Sequence, residues 1–271
     1  MLLFVDSHVH IHDCFPLDSF LDAACHNFKI AAAAKTTDSE WAAFLLLTES
    51  EGAHVFSRLG EIARSATGSE NRWRFKTTDE DISIEAIGPG GNRLFLVPGG
   101  QIVTAERLEV LCIGSRSRFE DKMPIRETID RVLEAGALPV LPWGPGKWFS
   151  ERGKIVRDTI RYYGRELFLG DNGNRPGFWP SPRLFESASS DGHKILPGSD
   201  PLPFPSEAAR AGSFGFFLDH QISMSHPARS LISELRNPES IPVPFAKLES
   251  SGRFFRNQIK MQLVKQGLIQ A

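Results

Sequence analysis

The chain has 271 residues, long enough to bury a full core, and its 31 lysines and arginines nearly balance 33 aspartates and glutamates. A formal net charge of −2 supplies neither a global basic field for nucleic acid nor an acidic tail, which leaves a small-molecule substrate as the expected partner and argues against nucleic acid. Three cysteines with no C-x-x-C pair argue against a disulfide framework, and the absence of a basic leader or an apolar run of membrane-span length points to a cytoplasmic protein with no membrane partner.

In chain order, the apolar run Leu2-Leu3-Phe4-Val5 predicts a strand that ends in Asp6-Ser7-His8-Val9-His10. Side chains alternate across a strand, so His8 and His10 should point the same way, with Asp6 behind them. Two imidazoles on one rigid edge are a ready clamp for a divalent cation. The helical spacing of Leu17, Phe20, Leu21, Ala24 and Phe28 predicts a first helix, with Asp18 placed to cap it. Trp41 to Thr48 is a continuous apolar run that suits a buried strand, with Glu49-Ser50-Glu51 at its end. His54 and Val55 open an amphipathic segment carrying Leu59, Ile62 and Ala63.

From Trp73 to Gly114 the pattern changes to short strands. Ile82–Ile87 and Leu94–Val97 flank the turn Gly88-Pro89-Gly90-Gly91-Asn92 and predict a β-hairpin. Pro98–Val103 and Leu108–Gly114 read as two further strands. Then strands and helices alternate: a helix after Pro124 that stops at Gly136, a strand at Leu138–Leu141, and a helix capped by Ser150 and ended by Gly164. A strand at Glu166–Gly170, a helix at Arg183–Ala188 and a strand at Lys194–Pro197 follow, the last running into Gly198-Ser199-Asp200. This rhythm predicts a parallel sheet with right-handed crossovers, as a barrel or an open doubly wound sheet. Beyond Pro201 come a short helix at Ser206–Ala211, the apolar Phe214–Leu218, and helices near Pro227–Leu235 and Phe254–Leu268 separated by Ile241-Pro242-Val243-Pro244. Residues 1–271 read as one domain with a C-terminal helical extension over 226–271.

In parallel α/β folds the C-terminal ends of the strands form the ligand face. Here those ends carry Asp6/His8/His10, Glu49/Ser50, Gln101, Leu111, Pro142/Trp143, Asp171/Asn172/Asn174 and Asp200. Asp171 and Asp200 stand out, because each is bracketed by small residues directly after an apolar strand.

Asp6-Ser7-His8-Val9-His10, followed much later by Gly198-Ser199-Asp200, resembles the PHP (polymerase and histidinol phosphatase) family. The resemblance runs in order over about the first 200 residues. It implies an α/β fold, a distorted seven-stranded barrel, here with an inserted β-hairpin, and metal-dependent hydrolysis of phosphoesters. Thr48-Glu49-Ser50 stands where the family has Thr-Asp-His, and Gly99-Gly100-Gln101-Ile102 where it has a Gly-x-Glu strand. Glu109-Val110-Leu111 replaces a strand ending in histidine, and Leu141-Pro142-Trp143-Gly144-Pro145-Gly146 resembles Ala-His-Pro-Gly with Trp143 at the histidine. Asp200 is kept, but Leu202 takes the place of the histidine two positions later.

Those departures reduce the metal site, because a trinuclear cluster needs roughly nine protein ligands and neither leucine nor tryptophan donates a lone pair. The resemblance therefore implies one divalent ion, zinc, manganese or magnesium, rather than three. Its ligands would come from His8, His10, Glu49, Asp171 and Asp200, with Asp200 as ligand or catalytic base and Lys147 and Arg175 offsetting substrate charge. Two alternatives remain. One is an amidohydrolase-type site, which would need histidines from middle strands, where only His193, His220 and His226 come later in the chain. The other is a non-catalytic binding or scaffold protein with Trp143, Phe178 and Trp179 lining an apolar pocket.

Overall fold

The computed structural model describes residues 1–35, 40–65, 72–144, 146–246 and 248–268, so Pro145 of the Leu141–Gly146 motif lies outside the described residues. In chain order the elements are β1 (Leu2–Val9), α1 (Leu17–Ala33), β2 (Trp41–Leu47), α2 (Val55–Arg64), β3 (Arg74–Thr77), β4 (Ile84–Ile87), β5 (Arg93–Val97) and β6 (Gly99–Val103). They continue with β7 (Glu109–Ile113), α3 (Ile125–Glu134), β8 (Leu138–Pro142), α4 (Ser150–Tyr163), β9 (Phe168–Asn172), α5 (Arg183–Ser190) and β10 (Ile195–Gly198). The last are β11 (Gly215–Asp219), α6 (Pro227–Arg236), β12 (Val243–Phe245) and α7 (Ser251–Lys265).

The apolar runs become buried strands, and the helices bury the faces their spacing marks; Phe20, Leu21, Ala24 and Phe28 of α1 are all shielded from water. Two caps differ from expectation. Asp18 makes no cap bond in α1 and instead accepts the backbone N–H groups of Arg72 at 3.1 Å and Trp73 at 3.3 Å. Ser150 is the first residue of α4 rather than its cap, and no side chain caps that helix. The segment at Pro205–Arg210 is a tight 3-10 helix.

The strands form two mixed sheets. One has seven strands in the order β12-β11-β1-β2-β5-β4-β3, the other five in the order β10-β9-β8-β7-β6. Parallel pairing holds for β1 with β2, β2 with β5, β8 with β9 and β9 with β10; β6, β7 and β8 run antiparallel, as do β4 and β5 of the hairpin. The described residues thus give a mixed α/β fold and no closed barrel, which corrects both the all-parallel sheet and the seven-stranded ring expected from the resemblance. Short connections explain the difference: the links from β4 to β5 and from β6 to β7 are too short for a helical crossover, so each strand must return antiparallel.

Between the sheets lies an apolar interior of Leu3, Val5, Phe44, Phe95, Leu111, Val140, Phe168 and Phe216, to which α6 adds Leu231 and Leu235. Helices α1 and α2 cover the outer face of the larger sheet, and α3, α4 and α5 cover that of the smaller one. The sheets touch along two seams. At one, the N–H of Glu49 reaches Gly99 O at 3.2 Å and that of Gln101 reaches Glu49 O at 3.0 Å. At the other, the N–H of Asp200 reaches His8 O at 2.8 Å and Ser7 Oγ donates to Pro197 O at 2.8 Å. The second seam is close enough to demand glycine, since a Cβ on Gly198 would overlap the backbone and Cβ of His8.

Candidate metal centre

The histidine stretch sits at the end of β1, beside the seam with β10. Leu3 and Val5 face the interior while Phe4 faces α1. Strict alternation would keep Asp6, His8 and His10 on the Phe4 side, but β1 carries one extra residue against β2 between Asp6 and Val9. Such a bulge re-aims side chains at a strand end. Asp6 turns to Ser199 and Gly212: it accepts Ser199 N–H at 2.8 Å, Ser199 Oγ–H at 2.6 Å and Gly212 N–H at 2.8 Å. Burial still pushes its carboxyl up to about 6 against those donors. Asp6 therefore ties β1 to the Ser199 turn and presents no atom to the metal centre.

His8 and His10 converge. Their Nε2 atoms lie 3.2 Å apart, and each is 3.5 Å from Asp200 Oδ1. Among the described residues these three form the one group of histidine, cysteine or carboxylate side chains close enough to share an ion. A point equidistant from three atoms in such a triangle lies about 2.0 Å from each, within the ordinary span of zinc–nitrogen and zinc–carboxylate bonds. The donor set and its spacing therefore fit one divalent ion.

Electrostatics match that use. Burial, then the neighbouring His8, hold His10 well below the usual imidazole range, so it is neutral with a free lone pair at neutral pH. Burial alone would raise Asp200, but His8, His10, a hydrogen bond from Asn172 and Lys147 outweigh it and keep the carboxyl ionised. Asp200 adopts φ 46°, an uncommon left-handed conformation for a residue with a side chain. Its N–H on His8 O, and Asn174 Nδ2 donating to its carbonyl at 2.6 Å, hold it there. Asn172 Nδ2 donates to Oδ2, which leaves Oδ1 turned toward the imidazoles. Gln101 Oε1 lies 3.3 Å from His8 Nε2, and Thr48 Oγ1 3.4 Å from His10 Nε2. The His12 ring stacks on His10 with centroids 5.4 Å apart and its Nε2 meets Pro201 O at 3.0 Å. A cleft of about 380 Å³, walled by Lys147, Leu202 and Met261, opens onto the group.

The other expected site residues stand elsewhere. Glu49 accepts Arg118 Nη2 at 2.5 Å and the N–H of Phe56 at 2.6 Å, so its two oxygens hold a cation and the start of α2. Asp171 takes a two-pronged contact from Arg175 at 3.1 and 2.8 Å, and Arg175, itself buried, also donates to Trp179 O at 3.1 Å. Neither Glu49 nor Asp171 joins the cluster, and Arg175 is engaged away from it. Lys147 does line the cleft, paired with Glu109. Of the later histidines, His193 meets Leu167 O at 3.1 Å, His220 meets Glu234 at 3.2 Å and His226 meets Ser225 Oγ at 2.9 Å, all outside the site. Asn172, Asn174 and His12 are contributors whose roles the sequence did not mark; the i, i+2, i+4 spacing of His8, His10 and His12 was the available signal for the last.

No family model and no curated protein sequence matches the chain. Solved structures do. PsfC from Pseudomonas syringae PB-5123 superimposes with a TM-score of 0.54 at 14% identity, over 99% of each chain. The lesion-specific endonuclease PfuEndoQ from Pyrococcus furiosus superimposes with a TM-score of 0.52 at 10% identity, over 89% of this chain; this chain spans 58% of that enzyme's length. A weaker likeness, TM-score 0.42 at 10% identity, covers 96% of this chain and 69% of a two-domain Bacteroides vulgatus ATCC 8482 protein containing a predicted PHP-like metal-dependent phosphoesterase. At these identities the likeness is one of fold. It also overturns one expectation. A lesion-specific endonuclease has this fold, so the argument from near-neutral charge against nucleic acid and for a small-molecule substrate does not stand. Net charge averages the whole surface, whereas contact with a phosphate backbone needs only local cations. Among the described residues no helix is long and apolar enough to cross a membrane.

Proposed function

We propose that this chain is a metal-dependent hydrolase of phosphoester bonds that binds one divalent ion through His8, His10 and Asp200. The observation that supports the reading is the triangle of His8 Nε2, His10 Nε2 and Asp200 Oδ1, with sides of 3.2, 3.5 and 3.5 Å. One ion is favoured over three because, among the described residues, the neighbouring positions lack a free carboxylate or imidazole. Leu111 is in the interior, the Trp143 ring packs against Trp179, and the carboxylates of Glu49 and Asp171 are held by arginines. A divalent ion in such a site lowers the pKa of a coordinated water and polarises a phosphoryl oxygen. The chain's own residues supply the rest. Asp200 offers Oδ1 as a ligand while Asn172 fixes Oδ2; Gln101 places an oxygen beside His8; and Lys147 brings positive charge to the cleft wall, where a phosphate would enter. In this reading residues 1–271 act as one unit, with the C-terminal extension bordering the cleft through Gln258 and Met261 of α7. The substrate is a phosphoester, and a nucleic-acid backbone is among the candidates because the fold serves an endonuclease.

The test is elemental analysis of protein purified without chelator, followed by hydrolysis of bis(p-nitrophenyl) phosphate and of a labelled oligonucleotide with added zinc, manganese or magnesium. The expected result is about one ion per chain and metal-dependent cleavage that a His8→Ala/His10→Ala variant lacks. Protein that takes up no metal, with any cleavage unchanged in that variant, overturns the proposal.

A further inference from the structure

A second cavity, of about 600 Å³, lies beside the metal cleft, between the end of β8, the start of α4 and the start of α5. Gly144 and Lys147 line the cleft, and Trp143, Trp148 and Phe149 line the cavity. Trp179 closes the far side, its ring 5.9 Å from that of Trp143 at 76°, and Arg157 and Arg183 stand on the lining.

Two features of this cavity point to a ligand. Its walls hold three indoles and Phe149, which is 53% exposed although large and apolar. Both arginines lack a hydrogen-bond or ion-pair partner among the described residues, whereas Arg175 nearby is fully engaged. Aromatic walls favour a planar ring by stacking, and two free guanidinium groups favour an anion with several acceptor oxygens.

We infer that this cavity binds a nucleotide unit, its base stacked on Trp179 and Phe149 and its phosphate held by Arg157 and Arg183. The unit is free or part of a strand; the recognising chemistry is the same. This site uses none of the metal-centre residues, so it stands or falls independently of the hydrolase reading.

The test is calorimetry with the full chain in EDTA, titrated separately with AMP, adenosine, inorganic phosphate and a single-stranded deoxyadenylate tetramer. AMP or the tetramer binds at least ten-fold more tightly than adenosine or phosphate alone. The tetramer binding more tightly than AMP identifies a strand as the source, and AMP alone binding identifies a free nucleotide. An Arg157→Ala/Arg183→Ala variant, changed only at exposed positions, removes the advantage over adenosine, and Trp179→Ala, which removes an aromatic wall of the cavity, weakens AMP several-fold. A His8→Ala/His10→Ala variant binds as the parent does, even if it is inactive. Saturable binding by none of the four probes at millimolar concentration, equal affinity for AMP and adenosine, or affinities untouched by both cavity variants overturns the inference.

Discussion

Gly198→Ala tests how the fold assembles the metal centre. Gly198 ends β10 against β1, and a Cβ there would lie 2.9 Å from His8 Cα and nearer still to its N and Cβ, where ordinary contact begins at about 3.4 Å. β1 cannot retreat, because Phe4 and Val5 are buried on its two faces. β10 must therefore move, by roughly half an ångström or more, and overpacking of this kind costs about 1–3 kcal/mol. Asp200 follows two residues later and moves with it. Its Oδ1 is 3.5 Å from both Nε2 atoms, and metal bonds tolerate deviations of only about 0.2 Å, so the affinity for a divalent ion should fall at least ten-fold. Urea denaturation reads the first effect as a lower midpoint at unchanged slope, and zinc calorimetry reads the second. Gly100→Ala on the opposite seam is the control, since its Cβ would meet only Glu49 O at 3.6 Å. A Gly198→Ala protein as stable and as tight for zinc as the parent would refute the claim that this seam sets the site.

Three further outcomes are expected. Glu49→Ala keeps metal stoichiometry but loses about 0.5–2 kcal/mol of stability, the usual worth of a helix-start contact, because Glu49 holds the Phe56 N–H; loss of stoichiometry in calorimetry would make it a ligand instead. Asp171→Asn leaves metal affinity unchanged and costs about 3 kcal/mol in denaturant unfolding, since it strands the buried Arg175; unchanged stability would show that the pair is dispensable. The third concerns pH. His10 resists protonation in the folded state, so the unfolded chain binds more protons below pH of about 6.5, and stability from this group is lost as pH falls through that range. Melting temperatures of the metal-free parent and of His10→Gln should therefore differ in slope from pH 7 to pH 5, with the parent falling more steeply; parallel slopes would contradict the neutral, buried assignment. Asp6, pushed up to about 6, works in the opposite direction and is common to both proteins.

Much of the scaffold was legible because periodicity reports burial directly. The continuous run at Trp41–Leu47 gave a strand buried on both sides, and the glycine-rich turn at 88–92 gave the β4–β5 hairpin. The His8/His10 pair was legible for the same reason, since i, i+2 spacing puts both rings on one edge. Strand direction was less accessible, because it depends on connection length and pairing partner rather than on any one segment's pattern. The fate of the carboxylates was hidden as well. Whether Asp171 faces a metal or an arginine turns on Arg175, four residues on, and for Glu49 on Arg118, 69 residues away. The bulge between Asp6 and Val9, which parts Asp6 from the histidines, leaves no mark in a pattern that alternates perfectly on paper.

The central claim is that His8, His10 and Asp200 hold one divalent ion. Anomalous diffraction at the zinc edge, from crystals grown with zinc, tests it directly. The account predicts a single strong peak about 2.0–2.2 Å from His8 Nε2, His10 Nε2 and Asp200 Oδ1. No peak within that triangle, or a peak bound by Glu49 or Asp171 instead, would contradict it.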